Sequence, residues 1–134
     1  MKKLFLNFLL LTVLCFSLCA CTSDPFVVFS TQNPKRGLKK EQLGTYFKKG
    51  DRVYYALIAP KGFKGDLIKI QLIKKDPKSE FWGYTNLRNK TVPTEGKNYL
   101  SDYFVLEETG IYVLSAYEVI NLSKPIATGA FRVE

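Results

Sequence analysis

The sequence predicts an all-β chain: a single antiparallel sandwich of about seven short strands. Three observations predict it. Apolar residues recur at every second position, as at Val53, Tyr55, Leu57 and Ala59, which is the period of a half-buried strand. Gly, Pro, Asn and Asp separate these runs at short intervals, as in sandwiches and barrels. No amphipathic stretch of roughly 10–15 residues joins them, so a parallel βαβ sheet is not expected.

In chain order, residues 1–20 come first. Lys2 and Lys3 give a positive start, and residues 4–20 are nearly all apolar, without an acidic residue. These 17 residues fall short of the roughly 20 that a spanning helix needs, so the stretch reads as a targeting signal. Residues 21–24 form a short tether, and residues 25–134 the domain. Phe26, Val27, Val28 and Phe29 read as a first strand, with Pro25 at its start, where a missing N–H is tolerated. Residues 31–50 form a basic connecting segment. Asn33-Pro34 and Gly37 mark turns, and Leu38, Leu43 and Phe47 are the side chains available to pin it, with a single helical turn at most.

From residue 51 the pattern is plainly β. Residues 53–59 form a strand, and residues 60–65 a loop with one Pro and two Gly. Ile68, Ile70 and Leu72 alternate with Lys69, Gln71 and Lys74 in a half-buried strand. Asp76-Pro77-Lys78 is a turn, residues 81–84 a short aromatic strand, and residues 86–97 a long connection holding Pro93 and Gly96. Residues 99–106 form a strand whose apolar face Asp102 interrupts. Residues 111–120 form the longest strand, residues 121–125 a turn, and residues 126–133 the last strand.

Two local patterns resemble known families. Leu18-Cys19-Ala20-Cys21 resembles the lipobox of bacterial lipoprotein signal peptides. The resemblance implies diacylglycerol on the Cys21 sulfur, cleavage before Cys21, and N-acylation of the new terminus. The implied partner is a membrane, held through those acyl chains, each buried methylene contributing ~0.8 kcal/mol. Thr22 and Ser23 follow Cys21 without an Asp, which by that family's sorting rule favours the outer membrane of a Gram-negative source. Further on, Glu108-Thr109-Gly110-Ile111-Tyr112-Val113-Leu114 resembles the corner before the sixth strand of immunoglobulin-like sandwiches, acid-x-Gly-x-Tyr-x-Cys. Gly110 suits a turn with positive φ. The resemblance implies that the Tyr112 hydroxyl bonds main chain at the corner. Leu114 stands in the cysteine's place, and the expected partner position, near Tyr55 or Leu57, is apolar as well, so packing replaces the inter-sheet disulfide. This resemblance covers seven residues and implies a fold, not an activity.

Composition narrows the chemistry. Removing 20 of 134 residues leaves 114, enough for one domain with a modest core. Cys15, Cys19 and Met1, the one methionine, leave with the signal, and there is no His. Cys21 is then the remaining cysteine, with its sulfur in a thioether. Without imidazole or free thiol, zinc, copper and haem sites of the usual kinds are not expected, nor is any cofactor. Ser-His and Cys-His nucleophiles are ruled out. Carboxylate chemistry would need a facing pair among Asp102, Glu107, Glu108 and Glu118, and no catalytic role is expected. The mature chain carries 18 Lys and Arg against 12 Asp and Glu, which favours anionic partners. Export argues against nucleic acid and leaves an envelope protein or an acidic glycan.

Two candidate sites follow. If Tyr112 and Leu114 point inward, Ile111, Val113, Ser115 and Tyr117 point outward. With Lys69, Gln71, and Trp82 or Tyr84, they would make an aromatic, basic-rimmed binding face. The alternative is that residues 31–50 cover this face and Trp82 is core. The second candidate is the cluster Lys35, Arg36, Lys39, Lys40, Lys48 and Lys49, close in sequence to Cys21. On an anionic membrane each charge gains up to ~1 kcal/mol, and salt removes it. The alternative is a solvated loop. The expected function is a membrane-anchored, non-catalytic binding, scaffolding or envelope-assembly module. The rival is a small inhibitor lipoprotein that blocks a hydrolase through its loops.

Overall fold

The computed structural model describes residues 24–37, 39–75 and 84–134. The signal segment, Cys21, Leu38, the turn at 76–78 and Trp82 lie outside these residues, as does the side chain of Tyr84. The described chain has eight strands: β1 Phe26–Ser30, β2 Tyr46–Phe47, β3 Arg52–Ile58, β4 Leu67–Lys75, β5 Tyr84–Pro93, β6 Tyr99–Val105, β7 Gly110–Glu118 and β8 Ala127–Val133. Two 3-10 turns, Pro34–Arg36 and Lys40–Gln42, stand between β1 and β2.

The strands form two sheets, ordered β1-β3-β6 and β2-β8-β7-β4-β5. This is an immunoglobulin-like sandwich, all-β as the alternation predicts. Its core is the set of inward residues from both sheets. Val53, Tyr55 and Leu57 of β3 and Leu100 and Phe104 of β6 meet Ile68, Ile70 and Leu72 of β4, Tyr112 and Leu114 of β7, and Phe131 and Val133 of β8. Each run keeps strict alternation, because a slip of one residue would turn its apolar set toward water.

Two features depart from the sequence reading. Residues 86–93, expected as connection, belong to β5. It pairs antiparallel with β4 from Leu67↔Pro93 to Lys75↔Tyr84. Its residues are mostly polar because it is an edge strand with one free side, so the hydrophobic signal is weak. The second feature is β2. It pairs parallel with β8, Tyr46↔Arg132 and Phe47↔Val133, so the sandwich is not wholly antiparallel. The connecting segment thus leaves β1, is bridged at Ser30↔Leu43, and hands Phe47 into the core beside Phe131, ring centroids 5.7 Å apart.

The register defines two ends. Phe26 pairs with Ile58, Ile58 with Tyr99, Leu67 with Pro93, and Ile68 with Glu118. So β1, β4, β6 and β8 start at one end, where the chain enters at Asp24, and β3, β5 and β7 finish there. The two flanks also differ. On one, β1 and β8 approach closely at Gly129, where an added Cβ would lie 2.5 Å from Val27 Cγ1 and 2.9 Å from Phe29 Cε2. On the other, the edge strands β5 and β6 stand apart.

Candidate functional site

The open flank between β5 and β6 holds a cavity of about 630 Å³. Alternation along β5 turns Arg88, Lys90 and Val92 inward, since they pair with Leu72, Ile70 and Ile68. Alternation along β6 turns Leu100, Asp102 and Phe104 inward, opposite Leu57, Tyr55 and Val53. Charged residues on two edge strands therefore face one another across the open flank. Lys90 Nζ lies 2.6 Å from Asp102 Oδ2. Asp102 Oδ1 accepts the Tyr103 N–H at 2.9 Å. The Arg88 guanidinium stands over the Phe104 ring, 5.8 Å from its centroid, and Phe104 stacks on Tyr55 at 5.3 Å. Ile70 and Leu72 complete the apolar floor.

A bulge shapes the rim. Leu72 pairs with Arg88 but Ile73 with Asn86, so Leu87 is the extra residue on β5. Bulges re-aim a side chain at a sheet edge, and here Leu87 is exposed at the cavity mouth.

The electrostatics suit anion binding. Partial burial pushes the Asp102 carboxyl up. The Lys90 hydrogen bond, the Tyr103 N–H and the charges of Lys90 and Arg88 outweigh it and hold the carboxyl below its ordinary value. Asp102 is thus ionised and already engaged by Lys90. Burial, helped by the Asp102 charge, pushes the Tyr55 hydroxyl well up, so it stays protonated. Arg88 remains as a fork of donors beside an aromatic wall, a geometry matched to carboxylate or phosphate. The site has cations, a protonated phenol and ring faces.

The other acids stand elsewhere. Glu108 pairs with Lys74 at 2.6 Å, at the turn before β7. Glu107 lies at the same end, against Gly50. Glu118 is buried at the opposite end of β7, where its Oε1 accepts the Lys64 N–H at 2.7 Å. Among the described residues no group of three His, Cys, Asp or Glu is placed to hold a metal ion.

The face expected from sequence lies on the outer side of the five-stranded sheet. Lys69 pairs with Tyr117, Gln71 with Ser115, and Ile73 with Val113. Ile111, Val113 and Tyr117 are half-buried by their neighbours, and Ser115 is buried next to Thr128. Residues 31–50 run past the β1–β8 flank rather than over this face. Tyr84 pairs with Lys75 at its far corner. The basic cluster lies along the connecting segment between β1 and β3. β1 carries the chain the length of the sandwich before Lys35 is reached. Lys48 and Lys49 follow β2 beside the end of β8, where the Lys49 N–H donates to the Glu134 carbonyl at 2.8 Å. Lys35, Arg36, Lys39, Lys40, Lys48 and Lys49 are all exposed, and the length of β1 separates Lys35 from Asp24, where the described residues begin.

Gly110 and Tyr112 form the corner. Gly110 has φ +150°, and an added Cβ would meet Lys74 Cε at 2.9 Å. The Tyr112 hydroxyl donates to the Glu108 carbonyl at 2.6 Å, while its ring stacks on Phe131 at 5.5 Å. The charged pair at the open flank was missed from sequence. Its signal was an acid in a buried run at Asp102, and the alternation Arg88, Lys90, Val92 in a stretch read as loop.

No protein-family model matches the chain, and no curated protein matches it in sequence. Among solved structures it is similar to a superoxide reductase (neelaredoxin) from Ignicoccus hospitalis, at 14% identity and TM-score 0.48, over 86% of this chain and 83% of that one. It is also similar to the soluble domain of PmoD from Methylocystis sp. ATCC 49242 (Rockwell), at 14% identity and TM-score 0.45, over 83% and 92%. At these values no activity carries over from either protein.

Proposed function

We propose that the chain is a bacterial envelope lipoprotein, anchored through Cys21, whose sandwich is a non-catalytic binding module with its ligand site in the β5–β6 cavity. The observation that carries this reading is the inward placement of Arg88, Lys90 and Asp102 against Tyr55 and Phe104. Arg88 and Lys90 line the cavity yet stay exposed to solvent, so their charges can be reached by an anion entering from outside. Lys90 and Asp102 satisfy one another, and Arg88 is held on an aromatic face toward the cavity. Aromatic planes beside an Arg fork fit an acidic sugar: the ring stacks and the carboxylate pairs. The lipobox and the basic charge of the chain support an envelope setting and an anionic partner.

The test is a titration of residues 21–134 carrying Cys21→Ser, which retain every described strand, with a uronic-acid oligosaccharide and its neutral counterpart. Amide shifts should move at Leu87–Lys90 and Asp102–Phe104 with the acidic sugar alone. Arg88→Ala should weaken binding roughly tenfold or more, the loss of one charge-assisted contact. Shifts confined to Val113 and Tyr117 would move the site to the outer sheet face, and no shift with either sugar would remove the ligand class.

A further inference from the structure

The end of the sandwich where the chain enters exposes more large apolar side chains than the opposite end, where Leu43, Tyr46 and Val105 are exposed. Eleven large apolar residues are exposed among the described ones, and six of them lie at the entry end: Phe26, Leu67, Tyr99, Val119, Ile120 and Leu122. Single exposed apolar residues mean little, whereas a cluster at one place marks a contact surface. Of these six, Ile120 and Leu122 protrude most, at 74% and 51% exposure. Their turn is held rather than loose. The Asn121 N–H donates to the Glu118 carbonyl at 2.9 Å, and Asn121 Oδ1 accepts from the Ser123 hydroxyl at 2.6 Å. Below it, the buried Glu118 carboxylate ties the β3–β4 loop down through the Lys64 N–H, and the Val119 N–H donates to the Leu67 carbonyl at 3.2 Å. Ile120 also packs beside Gly65 of that loop.

Cations surround the turn. Lys61, Lys64 and Lys124 are on these loops, with Asp24 and Asp66 as the exposed acids nearby, while Lys97 is paired with Glu95 at 3.3 Å. What covers this end follows from the chain itself. If Cys21 carries lipid, only residues 22–24 separate it from the domain, a reach of roughly 10 Å. The bilayer that receives the lipid then lies against this end and no other.

We infer that the entry end is a bilayer-contacting tip. Ile120 and Leu122 enter the boundary between headgroups and acyl chains, Phe26 and Tyr99 sit at headgroup level, and Lys61, Lys64 and Lys124 meet anionic headgroups. The inference rests on the lipid-anchor reading for its setting and adds to it an orientation. The domain stands on its entry end, with the basic cluster of Lys35 and its neighbours directed away from the membrane and the β5–β6 cavity opening sideways.

The experiment separates tip from anchor. Residues 21–134 with Cys21→Ser carry no lipid and one introduced cysteine, at Ile120→Cys or, as the opposite-end reference, at Tyr46→Cys, where Tyr46 is 71% exposed. Each is labelled with an environment-sensitive fluorophore and titrated with vesicles of equal phosphatidylglycerol and phosphatidylcholine. The label at position 120 should shift to the blue and be quenched by lipids brominated near the carbonyl, and the label at position 46 should do neither. Without label, Ile120→Ser with Leu122→Ser should lower vesicle partition roughly tenfold or more, with an unchanged melting curve, since both side chains are exposed. Equal responses at the two positions, a stronger one at 46, or none at either would overturn the tip. Acyl labelling of the full chain, with and without Cys21→Ser, judges the anchor independently. Its failure would leave the vesicle measurement readable.

Discussion

Tyr112 shows what one side chain contributes here. Its ring is buried against Phe131, and its hydroxyl closes a turn by donating to the Glu108 carbonyl at 2.6 Å. Tyr112→Phe keeps the ring and deletes the bond, so urea denaturation should register a loss of about 1–2 kcal/mol. Gly129 contributes by what it lacks. A Cβ there would enter Val27 and Phe29, where β1 of one sheet packs against β8 of the other. Gly129→Ala should cost about 1–3 kcal/mol in the same assay, because the neighbours are packed side chains rather than flexible surface. Asp102 contributes through its charge. Its folded-state affinity for protons is lowered by Lys90, the Tyr103 N–H and Arg88 against the opposing effect of burial. A lowered carboxyl stabilises the fold above its unfolded value, near 3.8, and the stabilisation is lost as pH falls through the lower folded value. Thermal melts from about pH 6 to about pH 2 should therefore lose part of their acid slope in Asp102→Asn, with wild type and variant converging at the acid limit.

Among the elements, β3, β4, β7 and β8 were legible because each buries one whole face, so that Val53, Tyr55 and Leu57, or Ile68, Ile70 and Leu72, spell the period directly. The corner before β7 was legible because a turn needing Gly110 and a hydroxyl reaching back are local requirements. β5 was not legible. It holds Asn, Arg, Lys and Thr because one side faces no neighbour, and its inward charges are balanced by a strand reached only through the fold. Asp102 stood out in the sequence, but its partner lay in a segment read as loop, so the site at the flank stayed hidden. β2 escaped because two residues carry no periodicity, and Phe47 is what fastens it. Phe47→Ala should cost about 3–5 kcal/mol by the large-to-small rule. Edge and centre should also separate in hydrogen exchange: amides of β5 should exchange well before those of β4 and β7, which are paired on both sides.

At the scale of the molecule, the sandwich has polarity. One end receives the chain and gathers exposed apolar side chains with lysines; the other carries the exposed cations of residues 31–50. On one flank β1 packs against β8 at Gly129, and on the other the β5–β6 cavity is crossed by the Lys90–Asp102 pair. These asymmetries make sense together if the domain is fixed at its entry end and presents the open flank sideways. Everything in that arrangement depends on lipid at Cys21. The direct measurement is metabolic labelling of the full chain in a bacterial host with an alkyne fatty acid, for wild type, Cys15→Ser, Cys19→Ser and Cys21→Ser. The account predicts label on the first three and none on Cys21→Ser. Label that persists in Cys21→Ser, or a Cys21→Ser chain that is processed normally and still partitions wholly into detergent, would contradict it.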